Sequence, residues 1–178
     1  MIIAIPIIIV VAVIVLWYIS TSNNFKRAKI KIEESLSGIE VALTKRYDTL
    51  SKMLDATKGY MKHEQDTFAQ IVQMRKGMSV GEMNEAARQM DEVTSQIRVT
   101  AEAYPELRSS DLFVQLQRGI ADVEEHLQAA RRLYNANVSR FNTMKEVFPS
   151  NLLGKNYEKY DFSEAEESKR VDVEMKFN

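Results

Sequence analysis

The chain has 178 residues, with 24 Lys and Arg against 25 Asp and Glu, a formal net charge of −1 and no cysteine. The even charge balance argues against a nucleic-acid partner, and the absent thiols exclude disulfides, thiolate catalysis and cysteine zinc sites. Six Gly and three Pro give the chain few places to turn, so long helices are expected.

From Ile2 to Ile19 there is no charged side chain, and 13 of these 18 positions are Ile, Val or Leu. In water such a β-branched run would suit a strand. In lipid a single segment must satisfy its own backbone hydrogen bonds, which only a helix does, so the run reads as a transmembrane helix. At ~0.3 to 0.6 kcal/mol per central apolar residue, insertion is favoured by roughly 4 to 8 kcal/mol. Ile2, Ile5, Ile8, Val11 and Val15 are the expected anchors in lipid, and Trp17 and Tyr18 mark the exit into the headgroups. Pro6 is tolerable near the first turn, where a missing amide is least costly. A cleaved secretory signal is the competing reading, but no basic stretch precedes the run and Trp-Tyr-Ile-Ser-Thr-Ser is a poor cleavage site. Lys26, Arg27, Lys29 and Lys31 follow the span closely, which by the positive-inside bias places the N-terminus outside and the body in the cytoplasm, and offers a collar to lipid headgroups.

After a polar hinge candidate at Thr21 to Asn24, seam positions recur at Ile32, Leu36, Ile39, Leu43, Tyr47, Leu50, Leu54, Thr57, Met61, Glu64, Phe68 and Ile71, stepping three and four with one repeated step of four at Leu43 to Tyr47. This predicts one long helix to about residue 76, bending if anywhere at Gly38 or Gly59. Gly77 supplies a stop, and Ser79-Val80-Gly81-Glu82 has the spacing of a capping box that opens a second helix through Met83, Ala86, Met90, Val93, Ile97 and Thr100. Met83 and Met90 read as gap-filling core. Pro105 ends this helix. Ser109, Ser110 and Asp111 then cap a third, whose seam steps three and four through Phe113, Leu116, Ile120, Val123, Leu127, Ala130, Tyr134, Asn137, Phe141, Met144 and Phe148. Asn137 reads as a register-setting amide, and Tyr47, Tyr60, Phe113, Tyr134, Phe141 and Phe148 as bundle aromatics. The expected fold is all-α: residues 1–21 a transmembrane helix, 22–155 an elongated antiparallel bundle of three long helices with coiled-coil seams, and 156–178 a polar tail, loosely held or extended. Unequal helix lengths leave the seam around Ile32 to Leu43 with too little cover.

Lys45-Arg46-Tyr47-Asp48, Lys58-Gly59-Tyr60-Met61-Lys62-His63-Glu64, Ala103-Tyr104-Pro105-Glu106-Leu107, Phe113 with Leu116-Gln117, Ala130-Arg131-Arg132-Leu133-Tyr134-Asn135, and Phe141-Asn142 with Phe148-Pro149 occur in an order that resembles the LemA family of bacterial membrane proteins. The resemblance implies an anchored, elongated helical bundle with no established enzymatic activity. Two positions depart from it. Ser51-Lys52 stands where the family usually has Pro-Asn, which should let the first helix run straighter, and Leu36 stands where it usually has Trp.

Sites for chemistry are sparse. His63-Glu64 are adjacent and point about 100° apart, and His126 follows Glu124 and Glu125 without the Glu-to-His spacing of di-iron bundles. Lys45, Arg46 and Asp48, like Arg131 and Arg132, read as a solvated face before a recognition patch. The expectation is therefore no enzyme, no cofactor or metal and no small-molecule substrate. The leading reading is a single-span scaffold in the bacterial cytoplasmic membrane that associates with copies of itself to organise or shape a membrane complex. A pilin-like filament subunit and a lipid-reading signalling adaptor are the alternatives.

Overall fold

The structure is a computed structural model and describes residues 4–57 and 77–163. Over these residues the protein consists of five helices: α1 (Ala4–Thr57), α2 (Val80–Ala103), α3 (Pro105–Arg108), α4 (Asp111–Glu146) and α5 (Asn151–Gly154), with no strand among them. The all-α expectation holds. Tyr60, His63, Glu64 and the first helix beyond Thr57 lie outside the described residues, as does the tail from 164 onward.

α1 is a single helix of 54 residues, about 81 Å long at 1.5 Å per residue. It passes without a break through Thr21 to Asn24, where a hinge was expected, and through Ser51, where the straight course was. Its apolar N-terminal stretch has only 6 % of its length buried against the protein, so it is not a core helix. It is long and apolar enough to cross a membrane. The buried face then starts at Thr21 and runs through Phe25, Ala28, Ile32, Ser35, Ile39, Ala42, Leu43, Arg46, Leu50, Met53 and Thr57. It begins eleven residues earlier than Ile32, with Phe25 set between Thr21 and Ala28, two small residues that carry little apolar signal. Both Ala42 and Leu43 are buried, which accommodates the shift of phase expected here.

The caps follow the sequence closely. Ser79 accepts from the Glu82 amide at 3.3 Å while the Glu82 carboxylate accepts from the Ser79 amide at 2.7 Å, a complete capping box. Ser110 accepts from the Phe113 amide at 3.2 Å and starts α4. Pro105 does more than stop α2: placed at the first helical position, it opens the one-turn helix α3.

The path of the chain differs from the expected up-and-down order. α4 is antiparallel to α1: Gly119 lies beside Thr49, Gly38 beside Ala130, Asn137 beside Lys31 and Phe141 beside Phe25. α2, however, runs parallel to α1. The Gly77 amide donates to Glu40, and Arg46 reaches Ala87 and Asp91, so the numbering of both helices rises together. With α4 along its whole soluble length, α1 is covered: Ile32, Ile39 and Leu43 are each buried, so the seam expected to be bare is closed within one chain.

Along α4 the buried residues are Phe113, Ile120, Val123, Leu127, Arg131, Tyr134, Val138 and Phe141. Leu127, Tyr134 and Phe141 keep the expected seam, but two positions between them shift by one residue: Arg131 and Val138 lie inside, while Ala130 and Asn137 flank them. Phe148, placed on the seam by spacing, lies beyond the end of α4 and is 80 % exposed. The helix ends at Glu146 before the cis Phe148-Pro149 peptide, so nothing carries the seam that far.

Candidate functional site: a buried arginine and an asparagine clamp

Arg46 stands where a solvated cation was expected and is instead 1 % exposed, at the meeting of α1, α2 and α4. One terminal guanidinium nitrogen donates to the Asp91 carboxylate on α2 and, at 3.1 Å, to Glu124 on α4; the other donates to the Ala87 carbonyl at 3.4 Å. A guanidinium suits this position because its planar fork aims several donors at once and its stem packs as hydrocarbon. Its Nε has no acceptor among the described residues. The carboxylates are 30 % and 35 % exposed, so each keeps some water while the cation between them keeps almost none. The triad fixes which residues of three helices meet, and the alternation of charge holds one register.

The second construction lies toward the membrane end of α4. After α5 the chain turns back and runs extended against the bundle to Ser163. Asn142 donates its amide to the Tyr160 carbonyl at 2.9 Å and accepts from the Tyr160 amide at 3.2 Å; Asn135 treats Ser163 in the same way, both bonds at 2.9 Å. The spacing explains the fit. Two turns of helix separate the asparagines by about 10.5 Å, and three extended residues separate Tyr160 from Ser163 by about 10 Å. Each side-chain amide thus pairs with the backbone as a neighbouring strand would. Between them the Tyr134 hydroxyl donates to the Asp161 carbonyl at 3.0 Å, and the Ser163 hydroxyl donates to Asn84 on α2 at 3.2 Å. Burial, with the charge of Asp161 nearby, raises the Tyr134 phenol above its usual 10.

Aromatic packing fastens the near end of this strap. The Tyr157 ring stacks on Phe25 with centroids 4.8 Å apart, Phe141 meets Phe25 edge-on at 5.6 Å, and Tyr160 meets Phe141 edge-on at 5.1 Å. Each such pair adds about 0.5 to 1.5 kcal/mol beyond the area it buries. Lys159 pairs with Glu146 at 2.9 Å on the surface. The segment read as loosely held or extended is extended, and is docked as far as Ser163. A charged, aperiodic sequence hid this, because the grip comes from α4 and not from the strap.

The remaining expected site residues distribute as follows. Phe113, Tyr134 and Phe141 are buried, and Tyr47 is half-buried against the core. Asn137 donates to the Lys31 carbonyl and to the Ser35 hydroxyl, both at 3.2 Å, tying α4 to α1 from the flank of the seam. Lys26, Arg27, Lys29 and Lys31 are exposed around α1, two to four turns beyond Trp17. Tyr18 is exposed and Trp17 half-exposed, and Ile5, Ile8, Val11 and Val15 form a bare apolar surface; Ile2 precedes the described residues. His126 is exposed and lies 2.6 Å from the Asp122 carbonyl on its own helix.

An apolar helix continued without a joint into a strapped, charge-keyed helical bundle defines a class of helical proteins consistent with membrane association. Residues 35–177 match the sequence profile of the LemA family, and the chain belongs to that family. A relative is Protein LemA of Metamycoplasma hominis, 29 % identical over 164 residues that cover 88 % of this chain and 75 % of the relative. The matched region takes in Arg46, the clamp and the strap, and begins after the apolar stretch.

Proposed function

We propose that the protein is a single-span structural component of the bacterial cytoplasmic membrane, with its N-terminus outside and its bundle in the cytoplasm. In this reading the bundle is held at a fixed height and orientation and associates with copies of itself to organise a membrane complex. No catalysis, cofactor, nucleic acid or small-molecule substrate is assigned to it. The observation that carries the reading is the continuity of α1, whose buried face starts at Thr21, one turn past Trp17 and Tyr18. With no linker between span and bundle, any force on one is transmitted to the other. The orientation rests on Lys26, Arg27, Lys29 and Lys31 following the span.

Self-association has lost its first motive, since α1 is covered within one chain. Its remaining support is the outer face of α1, where Ile30 and Val41 are exposed three turns apart, directly opposite the core. Mass measurement of the full chain in nanodiscs, with electron microscopy of the particles, tests this. Rings, filaments or defined oligomers are expected, and monomers at high concentration would remove assembly while leaving the anchor. A cysteine placed at Asn23 of this cysteine-free chain should be labelled from the cytoplasmic side only.

The exposed collar gives the lipid-reading adaptor some standing as a second reading. Binding to anionic vesicles that weakens with salt and with neutral replacement of the four collar residues is its test.

A further inference from the structure

Three large apolar side chains are grouped at the turn between α4 and α5: Phe148 at 80 % exposure, Leu152 at 58 % and Val147 at 49 %. Their position along the molecule follows from the α1–α4 register. Phe141 lies on Phe25, and α4 runs toward the span, so Glu146 comes level with about Ser22 and the turn beyond it with about Tyr18 to Ser20. That is the level at which Trp17 and Tyr18 mark the exit of α1 from lipid. α5 is folded tightly under the end of α4: a Cβ at Gly154 would come within 2.8 Å of the Lys145 backbone, so the turn is a firm knob. Lys145 and Lys155 flank it in sequence, at the end of α4 and just after α5. Glu146 at the end of α4 is paired with Lys159, and the adjoining strap carries two further acids, Glu158 and Asp161.

We propose that the α4–α5 turn is a second membrane contact. Phe148, Val147 and Leu152 enter the boundary between headgroups and acyl chains of the bilayer that α1 crosses, with Lys145 and Lys155 at the phosphates. Apolar side chains flanked by lysines, carried at the depth of an aromatic exit belt, are the composition of an interfacial anchor. An isolated apolar patch elsewhere on the bundle would have no defined partner. This one has a bilayer alongside, by its continuity with the span. The proposal rests on the membrane reading of α1.

The chain's single Trp, Trp17, makes the test direct. The full-length protein is reconstituted in vesicles of zwitterionic and anionic lipid, with or without bromine on the upper acyl carbons. Emission is read for the wild type and for Phe148→Trp, Leu152→Trp and Val99→Trp, each placed on Trp17→Phe. Val99 is an exposed apolar residue at the far end of α2 and serves as the control. The expected result is quenching of Trp at 148 and 152 approaching that of Trp17 and at least about threefold that at 99. Phe148 and Leu152 make few contacts, so both variants should keep the wild-type helical spectrum. Emission from 148 and 152 that brominated lipid leaves unquenched overturns the proposal. So does shielding that grows with the protein-to-lipid ratio without bromine quenching, which would assign the turn to a second copy. An unquenched Trp17 would overturn the span as well, and is read separately in the wild type.

Discussion

Replacing Arg46 by Met removes the cation from the junction of three helices while keeping most of the volume of its stem. Three hydrogen bonds disappear, and the Asp91 and Glu124 carboxylates are left facing each other across an apolar side chain. Breaking a fully buried ion pair in this way costs about 3 to 5 kcal/mol, but both carboxylates here are roughly a third exposed and recover part of their hydration. The expected loss is therefore about 2 to 3 kcal/mol for Arg46→Met, with about 1 to 2 more for Arg46→Ala from the unfilled space. Adding Asp91→Leu and Glu124→Leu to Arg46→Met should restore stability to within about 1 kcal/mol of wild type, since no charge is then stranded. Urea titration of the full chain in detergent, followed by far-ultraviolet circular dichroism, measures all four proteins. Arg46→Met within about 0.5 kcal/mol of wild type would refute the reasoning, because the guanidinium would then contribute no more than a surface ion pair. A triple variant as unstable as the single one would refute the electrostatic account in favour of packing.

Asn135→Ala and Asn142→Ala each remove two hydrogen bonds to the strap, which at about 0.5 to 1.5 kcal/mol per bond should raise amide exchange at 157–163 by one to two orders of magnitude while leaving α1 protected; exchange mass spectrometry reads it. Gly154→Ala drives a methyl into the Lys145 backbone and should destabilise the end of α4 by about 1 to 3 kcal/mol, seen as local exchange and early proteolysis after residue 146. Tyr134 holds its proton more tightly folded than unfolded, so its contribution to stability is full below the ordinary phenol pKa of 10 and is lost as pH rises through the folded value. Alkaline titration of phenolate absorbance should show a late phenol that Tyr134→Phe abolishes. Ser79→Ala breaks the capping box and should cost about 1 kcal/mol in urea titration.

Helix boundaries were legible in the sequence because they depend on local chemistry: a serine three residues before a glutamate caps α2, and Ser110 caps α4, wherever those helices pack. What was not legible depends on distance. The buried face of α1 looks polar at Ser35 and Arg46 because each is satisfied by other groups, Ser35 by the Lys31 and Ile32 carbonyls of its own helix and by Asn137, and Arg46 by α2 and α4. Periodicity assigns such residues to the surface. The parallel course of α2 is invisible for a related reason, since a seam has a face but no direction. The clamp leaves only a faint trace, two asparagines seven apart on one helix, and a sequence cannot say whether such a pair grips a backbone or meets water.

Placement of the first buried residue of α1 decides how the molecule behaves at a membrane. Had packing begun at Ile32, three free turns of helix would have separated the bilayer from the bundle, and the span could tilt without moving it. Packing begins at Thr21, and Phe25 is pinned between Phe141 and Tyr157. From Thr21 to Thr57 the rod extends about 54 Å at 1.5 Å per residue, so a change of about 10° in tilt moves its far end by about 9 Å. A lone helix in lipid would leave that angle to bilayer thickness. A second contact at the α4–α5 turn, offset from the α1 axis by the width of a helix pair, gives the angle a stop. The strap is what keeps that turn in place: it runs from α5 back over Phe25 and Phe141, so releasing Asn135 and Asn142 should loosen the turn and, through it, the angle at which the bundle stands.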